Sequence, residues 1–417
     1  MDQDGHPALP PDSPLMTMTN SFLNDGMLLG LSISGPRLPY RDPTYYINDG
    51  NSVLLVENTL FKVHRSVLTK DKSAFETMFQ LSGETDSVRS DSSMSAAQEG
   101  ECDENPIRLH GDTADEFRAL LWALYALTHH ARPHELTLAM SSEADCTQLV
   151  NLVRITHKYQ FRSIMNWALS ALHHYYSRPG ALDDILTTTA ATPGTTTGTV
   201  PTLPQTAPPT PGLSASLPPT LVQLTELAAL CERTDLLECA VTRWKRLVGE
   251  GRDLALALTI GERFNLRPVM GLAYHALMLR GKAHWDAERA LTRSQRVRLL
   301  AGYYALTKLW DALPSQPPPL THGARCTSQQ RCAKAFGALW RAVLETGTQV
   351  LPGLAREDVL GKIMLAESVM KAMVEREIPS QGFLDGMPHC RESALVATTM
   401  RMREIKESLA DYFSDEF

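Results

Sequence analysis

The 417-residue chain has no run of about 18 apolar residues, so no segment is expected to span a bilayer and no membrane partner is expected. It also has no excess of positive charge. There are 40 Lys and Arg against 47 Asp and Glu, a net charge of −7. Phosphate backbones are bound by basic faces, so nucleic acid is not expected as the main partner. Cysteine is scarce, with seven at positions 102, 146, 231, 239, 326, 332 and 390. An odd and unpatterned set does not describe a disulfide framework. It suits a reducing intracellular compartment, cytoplasm or nucleus. The opening MDQDGHPALPPDSP lacks the basic start and apolar core of a secretory leader. No phosphate-cradling loop or dinucleotide glycine pattern occurs, and no cofactor is expected.

What is present is globular material. Hydrophobic residues make up 43% and charged residues 21%, enough for a packed core and for two or three domains. Residues 1–40 carry Pro, Gly, Met and Ser without a sustained period and read as a disordered arm. From Asp42 a pattern sets in. Short strands are expected at Thr44–Asn48, Ser52–Val56 and Leu60–Val63, with Asp49-Gly50 as a hairpin turn between the first two. The second strand is apolar on both faces and should be central. Two short helical clusters follow, Val67-Leu68 and Phe75 to Phe79, divided by Lys70-Asp71-Lys72, with Ser73 as a cap.

Residues 82–104 hold seven acidic residues and one basic residue and read as an exposed acidic insert. A strand at Ile107–Leu109 and a helix opened by Gly111-Asp112-Thr113 come next, with Thr113 and Glu116 spaced as a capping box. Phe117, Leu120, Leu121 and Leu124 form one helical face. A helix pair is expected over 149–176. Residues 187–219 contain eight prolines, eleven threonines and no charge, which marks an extended linker. The remainder, 220–417, reads as helical, with a second proline stretch from Pro314 to Pro319. Three segments, 157–172, 231–247 and 261–278, echo one another faintly as helix end, short turn and apolar-striped helix.

The order of these elements, and FKVHRSVL (61–68), SAFETMF (73–79), IRLHGDTADEFRALLWALYAL (107–127) and DPTYYINDGNSVLLVENTLF (42–61), resemble the BTB/POZ domain and come close to the expanded BTB family of basidiomycete fungi. The resemblance covers residues 41–176. It implies an α+β fold there, a small sheet flanked by helical hairpins, followed by the Pro/Thr linker (177–219) and a helical C-terminal domain. It also implies a non-enzymatic protein–protein interaction function. The implied partners are other proteins: a second copy joined through the BTB domain, or a cullin scaffold for which the chain is an adaptor. A transcriptional co-regulator is the alternative. The chain lacks an obvious helix before its first strand, which removes the usual element for swapped dimerisation.

Against that frame, Phe61, His64 and Arg65 are expected to build the strand-to-helix junction, His64 by bonding nearby backbone, because a buried polar group needs a partner and no nucleophile is placed beside it. His129, His130 and His134 sit on a polar stretch without the ligand pattern of a zinc site. Cys326 and Cys332 are separated by five residues, not a zinc-finger spacing, and with His389-Cys390 they would meet only in three dimensions. They read as small buried apolar residues, as do Cys231 and Cys239, and no metal is expected. The basic clusters Arg243 to Arg246 and Arg293 to Arg298 read as solvated helix faces rather than a DNA-reading surface. Pro208 to Pro211 and the Thr-Pro pairs at 192 and 210 fit short-motif or phosphorylation sites only weakly. A metal-dependent enzyme built on the Cys and His residues is the rival from another class. Trp122 and Tyr125 fall off the apolar stripe of their helix, and they are the candidate partner interface, since such residues are enriched in hot spots. Cover by the helix pair at 149–176 is the alternative.

Overall fold

The computed structural model describes residues 38–84, 99–128, 137–183, 185–187, 219–350, 354–375 and 382–414. The three histidines at 129, 130 and 134, both Thr-Pro pairs and Pro208 to Pro211 lie outside them. Among the described residues the fold mixes many helices with one four-stranded sheet. Among the described residues no helix is long and apolar enough to cross a membrane.

The sheet contains β1 (Tyr40–Tyr46), β2 (Ser52–Val56), β3 (Thr59–Val63) and β4 (Ile107–Leu109), in the order β1-β3-β2-β4. Every residue of β2 is buried, as a strand apolar on both faces must be, and it runs between β3 and β4. The Asp49-Gly50 hairpin is corrected. β1 does not pair with β2; it runs parallel beside β3. The turn instead lifts the chain over the end of β3: the Gly50 N–H donates to the Ile47 carbonyl at 3.0 Å, and a Cβ on Gly50 would meet the Lys62 backbone at 2.9 Å. The tight antiparallel hairpin joins β2 to β3 through Glu57, which takes a φ of 53°.

After β3 come α1 (Arg65–Leu68), a 3₁₀ turn (Lys70–Lys72) and α2 (Ala74–Glu84). The Ser73 hydroxyl donates back to the Leu68 carbonyl at 2.5 Å. The acidic stretch 82–104 is anchored at both described ends. Its first residues finish α2, while Asp103 accepts hydrogen bonds from the Tyr46 hydroxyl at 2.5 Å and from the Arg41 guanidinium at 2.9 Å. In α3 (Ala114–Thr128) the capping box forms: Glu116 N–H donates to Thr113 Oγ1 at 3.2 Å, and Thr113 N–H donates to Glu116 Oε2 at 3.0 Å. Phe117, Leu120, Leu121 and Leu124 are all buried.

The faint internal echo becomes a geometric repeat. Three helical hairpins, α4 (Cys146–Lys158) with α5 (Arg162–Tyr176), α6 (Leu221–Leu230) with α7 (Thr234–Gly249), and α8 (Leu254–Arg263) with α9 (Arg267–Leu279), turn in the same way. Each turn has one left-handed residue: Gln160 (φ 63°), Glu232 (φ 52°) and Asn265 (φ 51°). Each is closed by the next N–H donating back to a helix carbonyl: Phe161 to Thr156, Arg233 to Ala228 and Leu266 to Gly261, at 2.9, 2.9 and 2.8 Å.

The hairpins stack across the Pro/Thr tract. Leu224, Leu227 and Ala228 of α6 and Leu236 of α7 belong to the same buried cluster as Leu54, Phe61, Phe117 and Leu152. α6 and the start of α7, beyond the Pro/Thr tract, thus complete the N-terminal core. A second cluster begins at Leu221 and Ala240 and takes in α10 (Lys282–Ala287), α11 (Arg293–Ala312), α12 (Gln329–Val350), α13 (Val359–Val374) and α14 (Arg391–Glu407).

Candidate functional site

At the strand-to-helix junction, Phe61 is fully buried and meets Phe117 edge-on at 4.9 Å. His64 is the residue before α1, half-buried. Its partner is not nearby backbone, as expected from sequence, but the Tyr125 hydroxyl on α3. The His64 backbone N–H donates to that oxygen at 3.2 Å, and Nδ1 lies 2.9 Å from it. One assignment satisfies both contacts: the hydroxyl accepts the backbone N–H and donates to an unprotonated Nδ1. Nε2 then carries the proton and faces Asp49 Oδ2 at 3.4 Å. Arg65 donates its backbone N–H to Asn51 Oδ1 at 2.8 Å and lays its guanidinium over the Phe79 ring at 4.4 Å.

Asp49, His64 and Tyr125 thus have the outline of a carboxylate–imidazole–hydroxyl relay. The electrostatics oppose nucleophilic use. Burial raises the Tyr125 pKa, with the Asp49 charge adding to it, so the phenol stays protonated. The trio clamps α3 to the end of β3.

The candidate interface residues are only partly exposed. Tyr125 stacks on Tyr45 at 6.2 Å as well as holding His64. Trp122 packs 6.2 Å from Trp167 of α5, and both indoles are half-buried at the edge of the N-terminal core. Cover by the helix pair therefore accounts for part of Trp122, while Tyr125 is covered by Tyr45 and His64.

The basic clusters are largely committed to internal bonds. Arg243 is buried and donates to the Asp183 carbonyl at 2.8 Å, while Arg246 pairs with Asp183 at 2.6 Å. Arg296 donates to the carbonyls of Trp285 and Glu288, and Arg298 pairs with Glu262 at 2.6 Å.

The second constellation lies in the C-terminal helices. Cys326, Cys332 and Cys390 converge, and the fourth member is His322, not His389. Cys326 Sγ lies 3.4 Å from Cys332 Sγ, and His322 Nδ1 lies 3.7 Å from both Cys326 Sγ and Cys390 Sγ. All four donor atoms fall within 4.8 Å of one another. Cys332 and Cys390 are buried, and His322 and Cys326 half-buried. Three separate pieces of chain supply them: an irregular loop after α11, the first turn of α12, and the residue before α14. Gly323 permits the approach, because a Cβ there would run into the His389 carbonyl oxygen. Sequence reading missed His322. Its one local signal is the four-residue step to Cys326 inside a proline-flanked loop.

Compared with protein-family models, curated proteins and solved structures, the chain matches none.

Proposed function

We propose that this chain is a non-enzymatic protein–protein interaction protein whose residues 41–176 form a BTB/POZ domain, and that it acts as an adaptor on a cullin ubiquitin-ligase scaffold. One observation carries the reading: the segments that resemble the family fall, in order, on one contiguous packed unit. FKVHRSVL crosses from β3 into α1, SAFETMF leads into and runs along α2, and IRLHGDTADEFRALLWALYAL covers β4 and α3. Their Phe61, Phe75, Phe79, Phe117 and Leu121 share a single core. The mechanism is positional: one face of the N-terminal unit holds the scaffold, and the helical stack continuing through α6 to α9 offers a separate, rigidly connected surface for a client.

Affinity capture of the tagged full chain from native extract, read by quantitative mass spectrometry, tests this. A cullin enriched together with client proteins is the expected result. Enrichment of chromatin-bound repressor components without a cullin would favour the transcriptional alternative. Recovery of no protein above background contradicts both.

A further inference from the structure

We propose that His322, Cys326, Cys332 and Cys390 form a structural zinc site. A tetrahedral zinc with Zn–S of about 2.3 Å and Zn–N of about 2.0 Å has S–S edges of about 3.8 Å and S–N edges of about 3.5 Å. The observed 3.4 Å between Cys326 and Cys332 and 3.7 Å from His322 Nδ1 to two sulfurs lie close to three of those edges, and all four donor atoms fall within 4.8 Å of one another. The sulfurs of Cys326 and Cys332 lie well beyond the bond length of a disulfide, about 2.05 Å. Packing of the thiols as small apolar groups accounts for their burial. It does not account for an imidazole nitrogen aimed between two of them.

The donor set selects the ion. Three soft thiolates and one imidazole suit zinc and exclude magnesium and calcium, which take oxygen ligands. Cys332 sits in the first turn of α12 and Cys390 is the residue before α14, so two of the ligands are held at the starts of helices. Three thiolates and a dication leave one net negative charge, and Arg325, Arg331 and Arg391 stand next to the ligands in sequence. All four positions are filled by protein, so the site is closed and its role is structural rather than catalytic.

The role follows from what the ligands join. Residues 317–328 form no helix or strand. Zinc would fasten this loop to the starts of α12 and α14 and close the long chain segment between Cys332 and Cys390, which carries α13. In a reducing compartment, where disulfides do not persist, a metal is the available cross-link.

The full chain, expressed with zinc and purified with a non-chelating reductant, should contain about one zinc per chain by inductively coupled plasma mass spectrometry. Cys332→Ser and Cys390→Ser should lose it, while Cys231→Ser, outside the cluster, should keep it. Because substitution at a buried position can itself unfold a chain, the wild-type chain gives a second reading. Replacing zinc by Co²⁺ should produce the strong visible bands of a tetrahedral thiolate site, and His322→Ala should weaken and shift them. A folded, reduced chain that holds no zinc when supplied with it would overturn the proposal. So would stoichiometric iron, a Cys326–Cys332 disulfide in fresh reduced-lysate material, or zinc lost equally from Cys231→Ser.

Discussion

Gln160 and Glu232 adopt the same left-handed conformation, φ 63° and 52°, at the same point of two helical hairpins that the Pro/Thr tract separates in sequence. Neither is glycine, so each pays the steric cost of a Cβ in that region, about 1 kcal/mol. Glu232→Gly should therefore raise stability by roughly 0.5–1 kcal/mol, read from a denaturant midpoint at unchanged slope. Glu232→Val should lower it. A loss of stability in the glycine variant would mean that the Glu232 side chain makes contacts worth more than its backbone strain.

Residues on both sides of the tract between those hairpins share one buried core. A specific protease site placed within 200–206 should be cut readily, and the two fragments should still elute as one species, because Leu224, Leu227, Ala228 and Leu236 are buried among N-terminal residues. Fragments that separate without denaturant would contradict the shared core. Leu224→Ala, at a fully buried position, should cost about 2–5 kcal/mol.

The clamp at the end of β3 predicts coupling. His64→Ala and Tyr125→Phe should each destabilise by about 1–3 kcal/mol, since each leaves a partly buried polar partner unmet. The double variant should cost clearly less than their sum, because both remove the same bond. Strict additivity in a thermal or denaturant double-mutant cycle would show that the two side chains act separately.

These residues also show what a sequence can and cannot disclose. The capping box of Thr113 and Glu116, the buried β2 and the stripe on α3 depend on neighbours within one or two turns, so local pattern reveals them. The parallel seat of β1 beside β3, the bond from His64 to Tyr125 and the meeting of His322 with Cys390 depend on where distant elements settle. His322 and Cys390 are brought together only once α12, α13 and α14 have packed, and no spacing rule encodes that. The repeat of hairpin turns lies between these cases. Its helices were visible as an echo, but the shared left-handed residue is three different amino acids, Gln160, Glu232 and Asn265.

Lys362 supplies a pH-dependent test. It is buried in the C-terminal core, with its ammonium 3.0 Å from the Trp310 carbonyl and 4.0 Å above the Trp310 ring. Burial pulls its pKa down to about 8 despite nearby Asp311 and Glu345, against about 10.4 for a solvated lysine. Below pH 8 the folded chain bears the full cost of the buried charge. From there to about 10.4 the unfolded chain holds a proton that the folded chain has released, so stability from this group rises with pH. Lys362→Met, which keeps the stem and removes the charge, should raise Tm at pH 7, and the gain should shrink between pH 8 and 10. A gain that stays constant over that range would mean that the lysine is not the titrating group.

The adaptor reading is tested most directly by titrating the purified full chain against a purified cullin amino-terminal domain in a calorimeter. It predicts saturable binding with one chain per cullin and a Kd of about 1 μM or tighter, close to −8 kcal/mol. A folded chain that gives no binding heat at tens of micromolar, at two temperatures, would contradict it.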